Sequence, residues 1–198
     1  MPVTMISPTD IQTLRQRTGV GMMEAKKALT AADGDPVKAL ENLRKAGMKI
    51  AASKSSRTVT EGAIGTYVHA NHKVAALVAL ACETDFVART EDFRHLAHDL
   101  ALHVAAANPL YLQAADIPAA IVEKEQEIYR EQLRTEGKPE KMWPGIINGK
   151  LKKYFGEVCL LDQPYVKDDT QSVQAVLQAA VVKLGENIQI SSFARLAV

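Results

Sequence analysis

The sequence predicts an α+β protein: a module of three short helices, then about three antiparallel strands packed with helices on one face. Three observations lead there. Apolar residues recur at helical spacing as far as residue 50. Two strand-like runs follow within 63–82. The charge balance also changes along the chain: residues 1–58 hold ten Lys/Arg against five Asp/Glu, residues 59–198 fourteen against eighteen. The expected division is a helical domain over 1–53, a linker over 54–61 and an α+β core over 62–198.

Each element has a local reason. Ser7 is a good N-cap, Pro8 suits the first helical position, and Asp10 completes a capping-box pattern. Ile11, Leu14 and Arg15 follow at helical spacing, and Gly19 stops the run. A second helix is expected from about Met22 to Ala32, with Met22, Ala25, Leu29 and Ala32 near one face. Asp33-Gly34 breaks it. Asp35-Pro36 caps a third helix whose candidate apolar positions are Val37, Leu40, Leu43 and Ile50. The core of such a bundle is thin. Ala52 to Glu61 is polar and reads as a connector.

Ala63 to His69 alternates and Lys73 to Cys82 is a candidate buried strand, with Ala70-Asn71-His72 as a hairpin turn. Helices are then expected over about 90–107, 118–135 and 139–155. Pro144 and Gly145 kink the last of these or make it start later. Gln163-Pro164 marks a loop. Asp169 or Thr170 is expected to cap a helix reaching Leu184, ended by Gly185. A final strand is expected over about 187–196.

Composition excludes several classes. With 47% hydrophobic and 24% charged residues the chain is ordinary globular material. A net charge of +1 gives no bulk attraction to DNA, RNA or acidic membranes. Two cysteines, Cys82 and Cys159, fit a reducing compartment and make no disulfide framework. The N-terminus lacks the pattern of a signal peptide, and the longest apolar run, Val74 to Cys82, is far short of the ~20 residues that span a bilayer. A cytoplasmic protein without a membrane partner is the expectation.

Candidate chemistry is sparse. His95 and His98 share a predicted helix with Asp99 and His103, but no complementary zinc-like ligand set accompanies them, so no metal is expected. Cys82 could be a nucleophile only with a nearby base or helix N-terminus; a buried core thiol is the plainer reading. No phosphate-binding or nucleophile-elbow motif is present. The basic run Arg44, Lys45, Lys49, Lys54 and Arg57 could face RNA or an acidic protein, or simply be a solvated helix end. Two places stand out. Met22 and Met23 follow a Gly-flanked turn, and adjacent helical positions point about 100° apart, so both cannot easily be core. Thr84-Asp85-Phe86 lies where a strand gives way to a helix, so ring and carboxylate could project together or be a buried ring beside a cap.

Leu14 to Leu29 (LRQRTGVGMMEAKKAL) resembles the N-terminal signature of bacterial elongation factor Ts, and Glu83 to Arg89 (ETDFVAR) resembles its second signature. Leu43 to Gly62 and Leu161 to Asp169 are also similar, in the family's order, nearly end to end. The resemblance implies an N-terminal ubiquitin-associated-like domain before an α+β core. It implies guanine nucleotide exchange on the GTPase elongation factor Tu in translation elongation, with no catalytic residue, cofactor or small-molecule substrate.

By the same resemblance, Thr84, Asp85, Phe86 and Val87 would contact Tu near the Mg²⁺ and phosphate side of its nucleotide site, with Phe86 as a wedge. Leu14, Arg15, Met22 and Met23 would contact Tu from a second side. Longer members have a doubled core, an inserted helical hairpin and a C-terminal helix module; this chain holds about one core. Short members of the family work as homodimers, so the resemblance implies a homodimer here that assembles two copies with two Tu molecules. Two rival classes are a non-catalytic module docking on the ribosome or a peptide, and a hydrolase using Cys82 with a histidine.

Overall fold

The computed structural model describes residues 6–18 and 20–198. Among these residues eight α-helices and five strands follow in the order α1 (Pro8–Thr18), α2 (Met22–Ala31), α3 (Pro36–Lys54), β1 (Glu61–Val68), β2 (Val74–Cys82), α4 (Asp85–Ala88), α5 (Glu91–Ala107), α6 (Ala119–Thr135), α7 (Trp143–Val158), β3 (Pro164–Tyr165), β4 (Asp168–Ser172), α8 (Val173–Leu184) and β5 (Gln189–Ala197). The architecture is α+β, with β1, β2 and β5 forming a small antiparallel sheet in the order β1-β2-β5.

One compact unit joins the chain up to Ala63 with Leu80–Phe93 and Ala175–Gln189. Its helices begin as their caps dictate. Ser7 Oγ accepts from the Asp10 amide at 3.1 Å while the Ser7 amide donates to Asp10 Oδ2 at 3.2 Å. Asp35 Oδ1 accepts from the amides of Val37 and Lys38 at 2.8 and 3.2 Å. The turn between α2 and α3 uses left-handed backbone at Asp33 and Gly34, φ 53° and 86°. The expected stop at Gly19 lies outside the described residues. The core here is small and alanine-rich: Ile11, Leu14, Ala25, Ala28, Leu29, Ala32 and Ala39, with Ile6, Val20, Leu40 and Leu43 packed against it. Two expected core positions are corrected. Val37 and Met22 are exposed: each lies in the first turn of its helix, and Ala39 and Ala25 are the first of their helices to enter the core.

The other unit comprises Ile64–Ala79, Arg94–Gln174 and Ile190–Val198. The β1–β2 hairpin closes with the His69 amide on the Val74 carbonyl at 2.8 Å, and His72 takes φ 57° in its turn. Gly65 is needed on the buried face of β1: a Cβ there would lie 2.0 Å from the Ala97 carbonyl oxygen of α5. Helices α6 and α7 pair as a hairpin, although the sequence reading set inserted helical hairpins aside as a property of longer chains. Pro144 falls in the first turn of α7, where its missing N–H costs nothing, so the helix starts later rather than kinking.

The expected cap of α8 at Asp169 or Thr170 is also corrected. Those residues lie in β4, which pairs antiparallel with β3. Asp168 Oδ1 accepts from the amide and hydroxyl of Thr170 at 3.2 and 2.6 Å, a local turn that competes with helix capping. The first amides of α8 are satisfied by loop carbonyls instead: Val173 on Gln163 at 3.1 Å and Gln174 on Leu161 at 3.0 Å.

Candidate functional site: the corner after the second strand

Strand β2 ends at Cys82, and the chain turns through Glu83 and Thr84 into the single-turn helix α4. Thr84 is extended, at φ −127° and ψ 155°, and its Oγ1 accepts from the Val87 amide at 3.4 Å. Ala88 is buried and tethers the turn, and Val87 is partly buried. Asp85 is partly buried and pairs with Arg89 at 2.9 Å. Phe86, on the outward phase of the turn, is 80% exposed. The even choice left by the sequence between a buried and a projecting ring falls to the projecting one.

Two residues from the segment after α8 hold this corner. Glu186 Oε2 accepts from the amides of both Glu83 and Thr84 at 3.0 Å. Glu186 Oε1 accepts from the Thr84 hydroxyl at 2.6 Å. In return the Asn187 amide donates to Glu83 Oε1 at 2.6 Å. Asn187 is buried, and its side-chain amide donates to the carbonyls of Arg57 and Ser55 at 2.7 and 3.3 Å. Sequence reasoning missed Glu186 and Asn187. A polar pair directly between a helix-ending glycine and a strand was the available signal.

In the helical bundle, Arg15, Met22 and Met23 are exposed, the methionines at 51% and 66%. Leu14 lies differently from the other three expected contact residues of the bundle. It is 3% exposed and packed in the bundle core, where it holds α1 in place. Of the basic run, Lys54 donates to the Gly185 carbonyl, Arg57 pairs with Glu83 at 3.5 Å and Lys45 pairs with Glu41 at 2.7 Å. Those cations serve the protein's own structure.

The cysteine and histidine candidates are structural. Cys82 is fully buried, donates to the Thr84 carbonyl at 3.2 Å, and has its thiol pushed up by burial and then by the Glu186 charge. That is the opposite of an activated nucleophile. Cys159 is buried and pushed up to about 11 by burial. His103 is buried, with Nε2 on Gln163 Oε1 at 3.0 Å and Nδ1 accepting from the Val166 amide at 3.2 Å. His98 Nδ1 lies 2.8 Å from the Thr66 carbonyl. Asp99 accepts from Tyr165 and Lys167. Among the described residues no three His, Cys, Asp or Glu side chains come together to hold a metal ion, and no helix is long and apolar enough to cross a membrane.

Comparison with known proteins settles the family. The pattern of the family described as Elongation factor TS matches residues 9–198. The chain belongs to the elongation factor Ts family. It is 50% identical over 194 residues to elongation factor Ts of Thermosipho melanesiensis, covering 98% of this chain and 99% of the relative. It is 47% identical to that of Moorella thermoacetica, with 96% and 94% covered. The Anaeromyxobacter dehalogenans protein is 50% identical, with 96% and 87% covered. Family membership puts the chain in protein biosynthesis, as an elongation factor.

Proposed function

We propose that this chain is the guanine nucleotide exchange factor of elongation factor Tu and that Phe86, with Asp85 beside it, is the element that weakens GDP binding. The observation that carries the reading is a large aromatic ring left 80% exposed at the tip of a turn whose backbone is fixed from behind. Scattered exposed apolar residues are common, but a rigidly presented one is a contact device.

A GTPase holds GDP through phosphate contacts and Mg²⁺. A factor that binds the nucleotide-free form more tightly than the GDP form must weaken GDP by the same factor. Burying one phenylalanine only in the nucleotide-free complex supplies roughly 1.5–3 kcal/mol, about ten- to a hundredfold. Asp85 exchanges its exposed Arg89 partner for polar groups near the metal. Thr84 and Val87 shape the turn that carries the pair. No covalent bond is made or broken, so the activity needs no acid, base, nucleophile or cofactor of its own.

Arg15, Met22 and Met23 form the second contact with Tu. Methionine is adaptable at such a surface. Two modest contacts on one chain raise each other's effective concentration, so neither has to be tight alone. We further infer a homodimer, assembling two copies with two Tu molecules. Ile64, Val68, Leu77 and Leu196 are exposed apolar residues on the three strands of the sheet, the kind of surface a second copy covers.

Release of fluorescent GDP from Tu tests the reading: the wild-type chain at micromolar concentration should accelerate it by orders of magnitude. Unchanged release would remove the exchange function and leave a docking module. Light scattering should give about twice the 21.6 kDa chain mass. A strict monomer would remove the dimer.

A further inference from the structure

We propose that Glu186 is a positioning residue for the corner: its carboxylate fixes the backbone of Glu83 and Thr84 and so the direction in which Phe86 projects. The inference rests on the exchange reading of Phe86. A four-residue helix cannot hold itself, since a single turn barely offsets its nucleation cost. Its one side-chain cap, the Thr84 oxygen on the Val87 amide, is long at 3.4 Å.

Glu186 supplies what is missing. Two successive amides converge on one of its oxygens, and the Thr84 hydroxyl donates to the other. That donation commits the hydroxyl proton to Glu186 and leaves a Thr84 lone pair toward Val87, so the cap itself is oriented by Glu186. Hydrogen bonds to a carboxylate are the stronger kind. Glu83 repeats the arrangement in reverse by accepting from Asn187, so each segment's carboxylate holds the other segment's backbone. Neither glutamate needs to touch Tu. Their role is to present Phe86 in one direction and so remove the ordering cost from the encounter.

The test is a double-mutant cycle read by GDP release from Tu. Glu186→Ala should slow release on the order of tenfold, the scale on which a misplaced group acts. Glu186→Gln keeps an oxygen for the two amides, and its NH₂ donates to the Thr84 hydroxyl instead of accepting from it; with both amides still held, release should stay within about threefold of wild type. In a Phe86→Ala background, Glu186→Ala should add less than about twofold, because both changes disable one element. Amide hydrogen exchange should rise at Glu83 to Val87 in Glu186→Ala and stay unchanged at Phe93.

Equal losses from Glu186→Ala in both backgrounds, or unaltered amide protection at the corner, would overturn the positioning role alone. If Phe86→Ala itself released GDP as fast as wild type, the exchange reading would fail first. Should Glu186→Ala not fold, Thr84→Val removes the same hydroxyl link from the other side. It must then slow release, by less than about tenfold because both amide bonds to Glu186 remain, and be non-additive with Phe86→Ala, or the proposal is wrong.

Discussion

Phe86 and Phe93 lie seven residues apart and have opposite fates. Phe93, in the first turn of α5, is fully buried, and its amide is capped by Thr90 Oγ1 at 3.3 Å. Phe86 is 80% exposed. Both follow a threonine that caps a helix start, so the local devices are alike. The difference lies in the phase of the turn and in what stands opposite. Phe93 converts its ring into folding free energy, whereas Phe86 keeps its ring for another molecule. A chain that spends hydrogen bonds from Glu186 and Asn187 on presenting an exposed ring has separated stability from contact within one short segment.

The widest separation should appear in stability. Phe93→Ala removes a fully buried aromatic ring and should cost about 3–5 kcal/mol in denaturant unfolding. Phe86→Ala should change it by less than about 0.5 kcal/mol, since surface changes away from such features rarely do more. Equal losses would show that Phe86 is packed in solution and would break the contrast.

The second separation should appear in exchange. Phe86→Ala should slow factor-stimulated GDP release from Tu about ten- to a hundredfold, the equilibrium worth of the ring it removes. Release at the wild-type rate would mean that the exposed ring is a bystander.

How much of this was legible in the sequence follows from the range of each interaction. The Ser7–Asp10 box and the Asp35 cap act between residues two or three apart and were read correctly. So was the exposure of at least one methionine, because adjacent helical positions diverge. Val37 shows the weakness of phase arguments in an alanine-rich helix. With so many small residues, two faces look equally apolar, and only packing selects one. The β3–β4 hairpin was mistaken for a cap because Asp and Thr serve both turns. Glu186 showed locally only as half of a polar pair after Gly185, and its role could not be read because its partners are 103 and 102 positions away. The corner's composition was visible, but the support that makes it a device was not.

A third test contrasts the corner with a site that serves stability only. His103 is buried, and burial holds its imidazole below the ordinary value of 6.5. Its Nδ1 accepts from Val166, and its Nε2–H donates to Gln163, whose own amide group is fixed on the Glu157 carbonyl at 2.7 Å. The neutral ring fits and the cation does not. Below pH about 6.5 the unfolded chain takes up a proton that the folded one resists, so stability falls as pH drops through that range. Denaturant unfolding at pH 7.5 and 5.5 should show that loss as a lower midpoint at the acid end. His103→Leu should be less stable at pH 7.5, because Gln163 and Val166 lose a partner, yet show a flatter pH dependence between 7.5 and 5.5. A slope equal to wild type would place the titrating group elsewhere.

The smallest expected effect belongs to the second contact. Met22 and Met23 are exposed, and they sit at the start of a helix whose own core is made of alanines and one leucine and whose N-cap, Gly21, offers no side chain. A flexible side chain on such a support contributes adhesion more than direction. Met22→Ala should therefore weaken binding to Tu about two- to fivefold, and it should do so through dissociation, as most interface changes do. GDP release at saturating factor should remain near wild type. That split separates the two contacts: Phe86→Ala should lower the maximal release rate, whereas Met22→Ala should raise the concentration of factor needed to reach it. If Met22→Ala lowered the plateau instead, the bundle would be part of the wedge, and the division between presenting and holding would have to be redrawn.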